Sequence, residues 1–347
     1  MASFTKLNSG NWRCRSYAGI DPTTGKRIVV SGTGATKSEA EMAMFAVKSK
    51  VASADSSMDM TLRQAMGAYI KARSGVLSPS TIRGYFSILN SGIQSIMDLR
   101  LKTLNAAKIQ TAISEDAKTK SPKTVRNIYG LLVPTLEMFA PGLKVDIKLP
   151  QKIKTEMVIP TDEEIKQICD RAEHYRCKWQ IYLAAFMGLR VSEIIALDLN
   201  KDIDWENSTL TINKAMVRNE NSEYVLKTTK TVNSTRKLKI PPFVLDVLKE
   251  ARDQTDPIYF PKSNELGHRM KRIVNSLKLE KKITMHTLRH YYASTLVVLG
   301  VPDLYAIKLM GHGSEGILRR VYQHTHEEYL DSVQDKMIDF FSDKYQT

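Results

Sequence analysis

The sequence predicts a multidomain, mainly α protein with small β-sheets, and three observations carry that reading. Alternating runs at residues 12–17 and 26–31 read as strands of a small three-stranded sheet closed by one helix. Residues 58–150 are almost wholly helical in pattern, with a helix-start signal ahead of each segment. Beyond residue 155, helices enclose a β-rich stretch near 210–240, which marks a mixed α/β domain. At 347 residues the chain is long enough for two or three domains, and the pattern divides it into 1–55, 58–150 and 155–347.

In chain order, Trp12–Tyr17 is the first recognisable strand, Asp21–Gly25 a turn cluster, and Lys26–Ser31 the next strand. Thr36 and Glu39 form a capping box that opens a helix through Ala46. This basic unit is too small for a large core and reads as an appended binding module. A polar break at Ser53–Ser57 follows. Leu62, Met66, Tyr69 and Ile70 then share one helical face, and Ser78, Leu104 and Ser121 open the stretches that start further helices. The expected product is a bundle of four or five helices. Lys148–Thr155 reads as an extended basic linker. A second capping box, Thr161 to Glu164, opens one long helix to about Met187. After Arg190 and its helix come strands at Leu210–Ile212, Tyr224–Leu226 and Arg236–Ile240. Helices dominate from there, punctuated by Pro241, Gly267, Gly300 and Gly311.

Bulk properties narrow the partners. The net charge is +14 and the pI about 9.5, with lysines and arginines spread over the whole chain rather than gathered in one tail. That distribution suits a protein wrapped along a polyanion better than one anchored at a single point. No run approaches the roughly 20 apolar residues of a membrane span, and no apolar signal segment opens the chain, so the expected compartment is the cytosol. Cys14, Cys169 and Cys177 are odd in number and widely spaced, so reduced thiols are expected rather than a disulfide framework or a zinc site.

The chemistry-bearing residues lie in the last domain. Gly188–Ile194 contains Arg190 and Glu193; Thr284–His290 contains His286 and Arg289; Leu309–His312 and Arg319–His324 add His312 and Tyr322. Arginines, histidines and a tyrosine, without a plausible carboxylate cluster for a metal, suit metal-free chemistry on a phosphodiester. Such chemistry needs fixed donors around the non-bridging oxygens, and arginine forks supply them without deprotonating. A tyrosine hydroxyl can attack to give a covalent phosphotyrosine, provided a lysine or histidine protonates the leaving oxygen.

In order and spacing, Gly188–Glu193, His286–His290, Leu309–His312 and Tyr322 resemble the motifs of tyrosine recombinases of the phage-integrase family, over residues 160–325. The resemblance implies Arg190 and Arg289 as clamps on the scissile phosphate, His286 in proton transfer, His312 bonding a non-bridging oxygen, Tyr322 as nucleophile and Glu193 as support for Arg190. It also implies a hairpin lysine, best matched by Lys230 in the pattern that runs to Ser234 and Arg236, with Lys227 the alternative. Residues 1–55 resemble an arm-type DNA-binding domain and 58–150 a SAM-like core-binding bundle. No cofactor or metal is implied, because the covalent link stores the bond energy. The implied partners are double-stranded DNA attachment sites of core and arm type and a homotetramer on DNA, with an excisionase and a host DNA-bending protein as further candidates. The implied work is integration and excision of a mobile element in the bacterial cytosol. Rival readings are a non-catalytic DNA-binding protein on the same scaffold and a related topoisomerase. Past the tyrosine, Leu330, Val333, Met337, Phe340 and Phe341 recur at helical spacing. That short helix would complete its own core or dock on a neighbouring protomer.

Overall fold

A computed structural model describes residues 2–20, 26–153, 157–228, 235–311 and Met337. The chain divides into two units, Met1–Lys154 with Asn219–Ser222, and Thr155–Arg218 with Glu223–Thr347.

The first unit opens with an antiparallel sheet of β1 (Ser3–Lys6), β2 (Trp12–Ile20) and β3 (Arg27–Gly34), in that order. Side chains alternate across it, as a strand period of two requires. Cys14 and Val30 pack with Ala40 and Met44 of helix α1 (Lys37–Met58), while Arg15, Tyr17 and Val29 are exposed. The α1 start uses the expected pair with one change. Thr36 accepts from the Glu39 N–H at 3.2 Å, but the Glu39 carboxylate reaches the Ala35 N–H at 2.9 Å. The expected polar break does not interrupt the chain: residues 53–57 are helical, and α1 continues to Met58. Polarity alone stops no helix, and the segment contains neither glycine nor proline.

The bundle consists of α2 (Leu62–Arg73), α3 (Pro79–Ser91), α4 (Ala106–Thr119) and α5 (Pro122–Phe139), with single 3₁₀ turns at Gln94–Ile96 and Leu101–Thr103. Thr61, Ser78, Asn105 and Ser121 cap these helices through their side chains. Leu62, Met66, Ile70, Ile109, Ile113 and Leu132 lie in its core.

The second unit begins with α6 (Asp162–Ala172), capped by the Thr161–Glu164 box, then α7 (Lys178–Met187) and α8 (Val191–Ile194). Strands β4 (Ile203–Asp204), β5 (Thr209–Ile212), β6 (Lys214–Arg218), β7 (Tyr224–Thr228) and β8 (Arg236–Lys239) form a β4-β5-β8 sheet and a β6-β7 hairpin, all antiparallel. Helices α9 (Pro242–Arg252), α10 (Ser263–Ser276), α11 (Met285–Val298) and α12 (Asp303–Met310) follow. Helix α7 is apolar almost all round and packs against α6, α9 and α11, so it forms the centre of the core. Two expectations are corrected here. The single long helix to Met187 is two helices, parted at residues 173–177, where Arg176 adopts φ +54°. Gly267 does not punctuate but sits inside α10. The expected turn at 21–25 and the tail helix lie outside the described residues, Met337 excepted.

Candidate active site

Three helix ends and one strand bring the polar constellation together. Helix α7 ends at Gly188, whose φ of +65° is the left-handed conformation that favours glycine. A Cβ there would run into the Tyr292 ring on α11. The chain then turns at once, and Arg190 becomes the extended residue that starts α8. Glu193, one turn later, accepts from the Arg190 backbone N–H at 2.9 Å and from its Nη1 at 2.8 Å. The sequence spacing of three thus becomes a carboxylate folded back onto its own arginine.

Arg289 comes from the second turn of α11, which starts at the Thr284 cap, and only 1% of it is exposed. Its Nη1 donates to the Gly188 carbonyl and its Nη2 to the Met310 carbonyl at 2.6 Å. Arg190 Nη2 donates to the Gly311 carbonyl at 2.8 Å. These acceptors lie at the C-terminal ends of α7 and α12, where carbonyls lack helical partners and the helix dipole favours cations. Each guanidinium is therefore held by the fold before any substrate arrives.

Arg236, at the start of β8, completes the cluster. Its two Nη atoms donate to the two Glu193 oxygens at 3.2 and 2.9 Å, and both side chains are buried. Arg289 Nη1 stands 4.0 Å from Glu193 Oε2. Three guanidiniums thus share one carboxylate, an excess of two positive charges in a largely dry setting. Burial alone would raise the Glu193 pKa, but hydrogen bonds and charge from Arg236 and Arg190 outweigh it and hold the carboxyl below its ordinary range. Burial, then the neighbouring Arg190, pushes Arg289 down to about 9, still cationic at neutral pH. His286, in the first turn of α11, has its pKa lowered by desolvation and by Arg289 and Arg190. Its ring meets that of His290 edge-on at 4.5 Å.

Of the residues singled out in the sequence, Arg190, Glu193, His286 and Arg289 are brought together. Lys227 lies on β7 opposite Ala215. Lys230, His312 and Tyr322 lie outside the described residues. Arg236 has no role that the sequence alone points to, although it closes the pattern that nominates Lys230; its strand position and a carboxylate 43 residues away reveal it.

Residues 160–328 match the family model described as the phage integrase family. The chain is 26% identical over 297 residues to the integrase of Staphylococcus phage L54a, covering 72% of this chain and 84% of that one. It is 22% identical over 372 residues to the ICEBs1 integrase of Bacillus subtilis, covering 97% and 99%. Among solved structures, the Tn1549 transposon integrase in complex with circular intermediate DNA superposes with a TM-score of 0.68 at 18% identity, covering 80% of this chain and 100% of that one. A lambda integrase dimer bound to a COC′ core site gives 0.57 at 17% identity, covering 92% and 93%. At these identities the structures share the fold.

Proposed function

We propose, from the premise that the chain belongs to the phage integrase family of tyrosine recombinases, that it is a site-specific recombinase that cuts and rejoins DNA to integrate and excise a mobile element. The observation that carries the reading is the cluster of Arg190, Arg236 and Arg289 around the single carboxylate of Glu193. A partly buried excess of cations, fixed by backbone carbonyls and by Glu193, is built for a phosphodiester whose charge grows during displacement.

In this reading the Tyr322 hydroxyl attacks the scissile phosphorus and the bond to the 5′ oxygen breaks. The products are a 3′-phosphotyrosine and a free 5′-hydroxyl. Lys230 protonates the leaving oxygen, and His286, neutral near pH 7 by its lowered pKa, accepts the tyrosine proton. His312 bonds a non-bridging oxygen. Attack by the 5′-hydroxyl of another strand reverses each step and frees the tyrosine. One phosphoester replaces another, so no external energy source is required.

The protein would act on double-stranded DNA as a homotetramer, because exchange between two duplexes needs four active sites. Residues 58–150 would grip the core site. Residues 1–55 would read arm sites through the exposed sheet face, where Arg27 lies over the Tyr17 ring at 6.0 Å and Arg15, two residues before Tyr17 on the same strand, is exposed as well. An excisionase and a host DNA-bending protein would assist, in the bacterial cytosol. Among the described residues, no helix is long and apolar enough to cross a membrane.

The test uses nicked duplexes that lose a short 5′-hydroxyl fragment on cleavage and so trap the covalent complex. They tile the DNA flanking the chain's own gene. The wild-type chain should form an adduct on one such sequence, in excess EDTA as well as in magnesium, and Tyr322→Phe should form none while binding the same duplex. An adduct that survives Tyr322→Phe assigns the nucleophile elsewhere, and a strict magnesium requirement for cleavage overturns the mechanism.

A further inference from the structure

We propose that Arg236 is a positioning residue for strand cleavage, holding Glu193 and the Met310–Gly311 helix end so that Arg190 and Arg289 remain available to the scissile phosphate. The proposal rests on the recombinase reading above. The two Glu193 oxygens receive the two Nη atoms of Arg236 at 3.2 and 2.9 Å, and the backbone N–H and Nη1 of Arg190 at 2.9 and 2.8 Å. Four donors fill the capacity of a carboxylate. Without Arg236, a buried anion would be left with half of its donors, and its charge would be met only by Arg190 and by Arg289 at 4.0 Å. Those guanidiniums would then neutralise Glu193 at the expense of the phosphate.

The same guanidinium touches a second element. A Cβ on Gly311 would run into Arg236 Nη1, so the Arg236 fork lies directly against this helix end. Gly311 also holds φ +61°, and its carbonyl receives Arg190 Nη2, while the preceding Met310 carbonyl receives Arg289 Nη2. One buried side chain thereby fixes the carboxylate behind Arg190 and the carbonyls behind both arginines. Pairing of Arg236 with Ile212 anchors it to the β4-β5-β8 sheet. Lysine keeps the charge but has no planar fork to span both oxygens, so it should not substitute.

The experiment measures the first-order rate of adduct formation at saturating protein on the nicked duplexes described above. It compares the wild type with Arg236→Lys, Arg236→Met, Glu193→Gln and the double variant Arg236→Met/Glu193→Gln. Arg236→Lys should slow the reaction about tenfold or more, and Arg236→Met further, with DNA affinity and the melting temperature of Arg236→Lys held near wild type. The double variant should lose much less than the product of the single losses. A pH profile adds a readout that a structural role alone would not move. The groups facing Glu193 are Arg190, Arg236 and Arg289, with Tyr292 beside the last two. Losing Arg236 raises the Glu193 pKa, so the Glu193 step in the acid limb of the Arg236→Met rate should move to higher pH and vanish when Glu193→Gln is added, leaving only the step that His286 contributes. Near-wild-type rates in both Arg236 variants overturn the proposal. So does a loss that tracks melting temperature and leaves the pH profile unmoved. If Arg236→Met fails to fold, Arg236→Lys decides by rate alone. A wild-type chain that forms no adduct with any duplex defeats the recombinase reading itself, a result distinct from equal cleavage by all variants.

Discussion

At the residue scale, the proposed recombinase reading sets Arg190 and Arg289 on the scissile phosphate, and the spacing of three between Arg190 and Glu193 becomes a direct hydrogen bond. Arg236 shares the buried face of its strand with Leu238, opposite the exposed Lys237 and Lys239, but only long-range folding sets it on Glu193. Arg289→Ala removes a preorganised donor and strips the Gly188 and Met310 carbonyls of a cation. Adduct formation should fall roughly 10²–10³-fold, measured on the trapped complex; activity within a few-fold of wild type would remove Arg289 from the clamp. His286 offers a test by titration. Desolvation and the cations of Arg289 and Arg190 favour its neutral form, so the free protein should protonate it below the ordinary value of roughly 6.5. The sign follows: the imidazole accepts a proton near neutrality and loses that capacity as pH falls through its midpoint. Arg190→Ala removes one cation and should move the midpoint upward, read from the histidine ring resonances in NMR. A midpoint that stays put or falls would show that Arg190 does not act on it.

At the element scale, helix starts were readable because their signals are local: Ser78, Asn105, Ser121 and Thr161 all cap as their side chains suggest. The parting of α6 from α7 was not, since Glu173–Cys177 contains no glycine or proline. Its cause lies far along the chain. Arg269 of α10, buried, donates through Nη1 to the carbonyls of Tyr175, Arg176 and Ile258 and pairs with Glu265 through Nη2. This cation holds Arg176 in a left-handed conformation that costs a non-glycine residue about 1 kcal/mol. Strands β1, β4 and β6 lack a local signal for a similar reason, because a strand is defined by its partners as much as by its own residues. Arg269→Met should leave the three carbonyls without this donor and cost about 3 kcal/mol, since hydrogen bonds to a charged group contribute roughly 1.5–3 kcal/mol each and share one donor here. A drop in melting temperature of roughly 6–12 °C should follow, with the arginine cluster's chemistry spared in the folded fraction. A drop below about 2 °C would show that the loop conformation holds itself.

At the scale of the whole molecule, the charge of +14 becomes a statement about binding DNA along its length. Within the first unit, the sheet with α1 has its own small core of Cys14, Val30, Ala40 and Met44, while the bundle core runs from Leu62 to Ala140. This separation supports treating residues 1–58 as a removable module. The continuity of α1 sets the cut, because an excision at 55 would leave a helical stub, whereas one after Met58 ends with α1 and preserves the Thr61 cap of α2. The shortened chain should fold, keep the Arg190–Glu193–Arg236 cluster and cleave an isolated core duplex at close to the full-length rate. Its binding to a duplex that includes arm sequence should weaken. The slope of log affinity against log salt should become shallower by about 0.9 for every phosphate that residues 1–58 neutralise in the full-length chain. Integration between complete attachment sites should fail, because that reaction needs distant sites held together while the core is cut. Competition binding across a salt series, with an integration assay on the same preparations, separates the possibilities. An unchanged salt slope with full integration would remove the DNA-reading role from residues 1–58. A loss of core cleavage in a folded, shortened chain would instead make the module part of the cleavage complex.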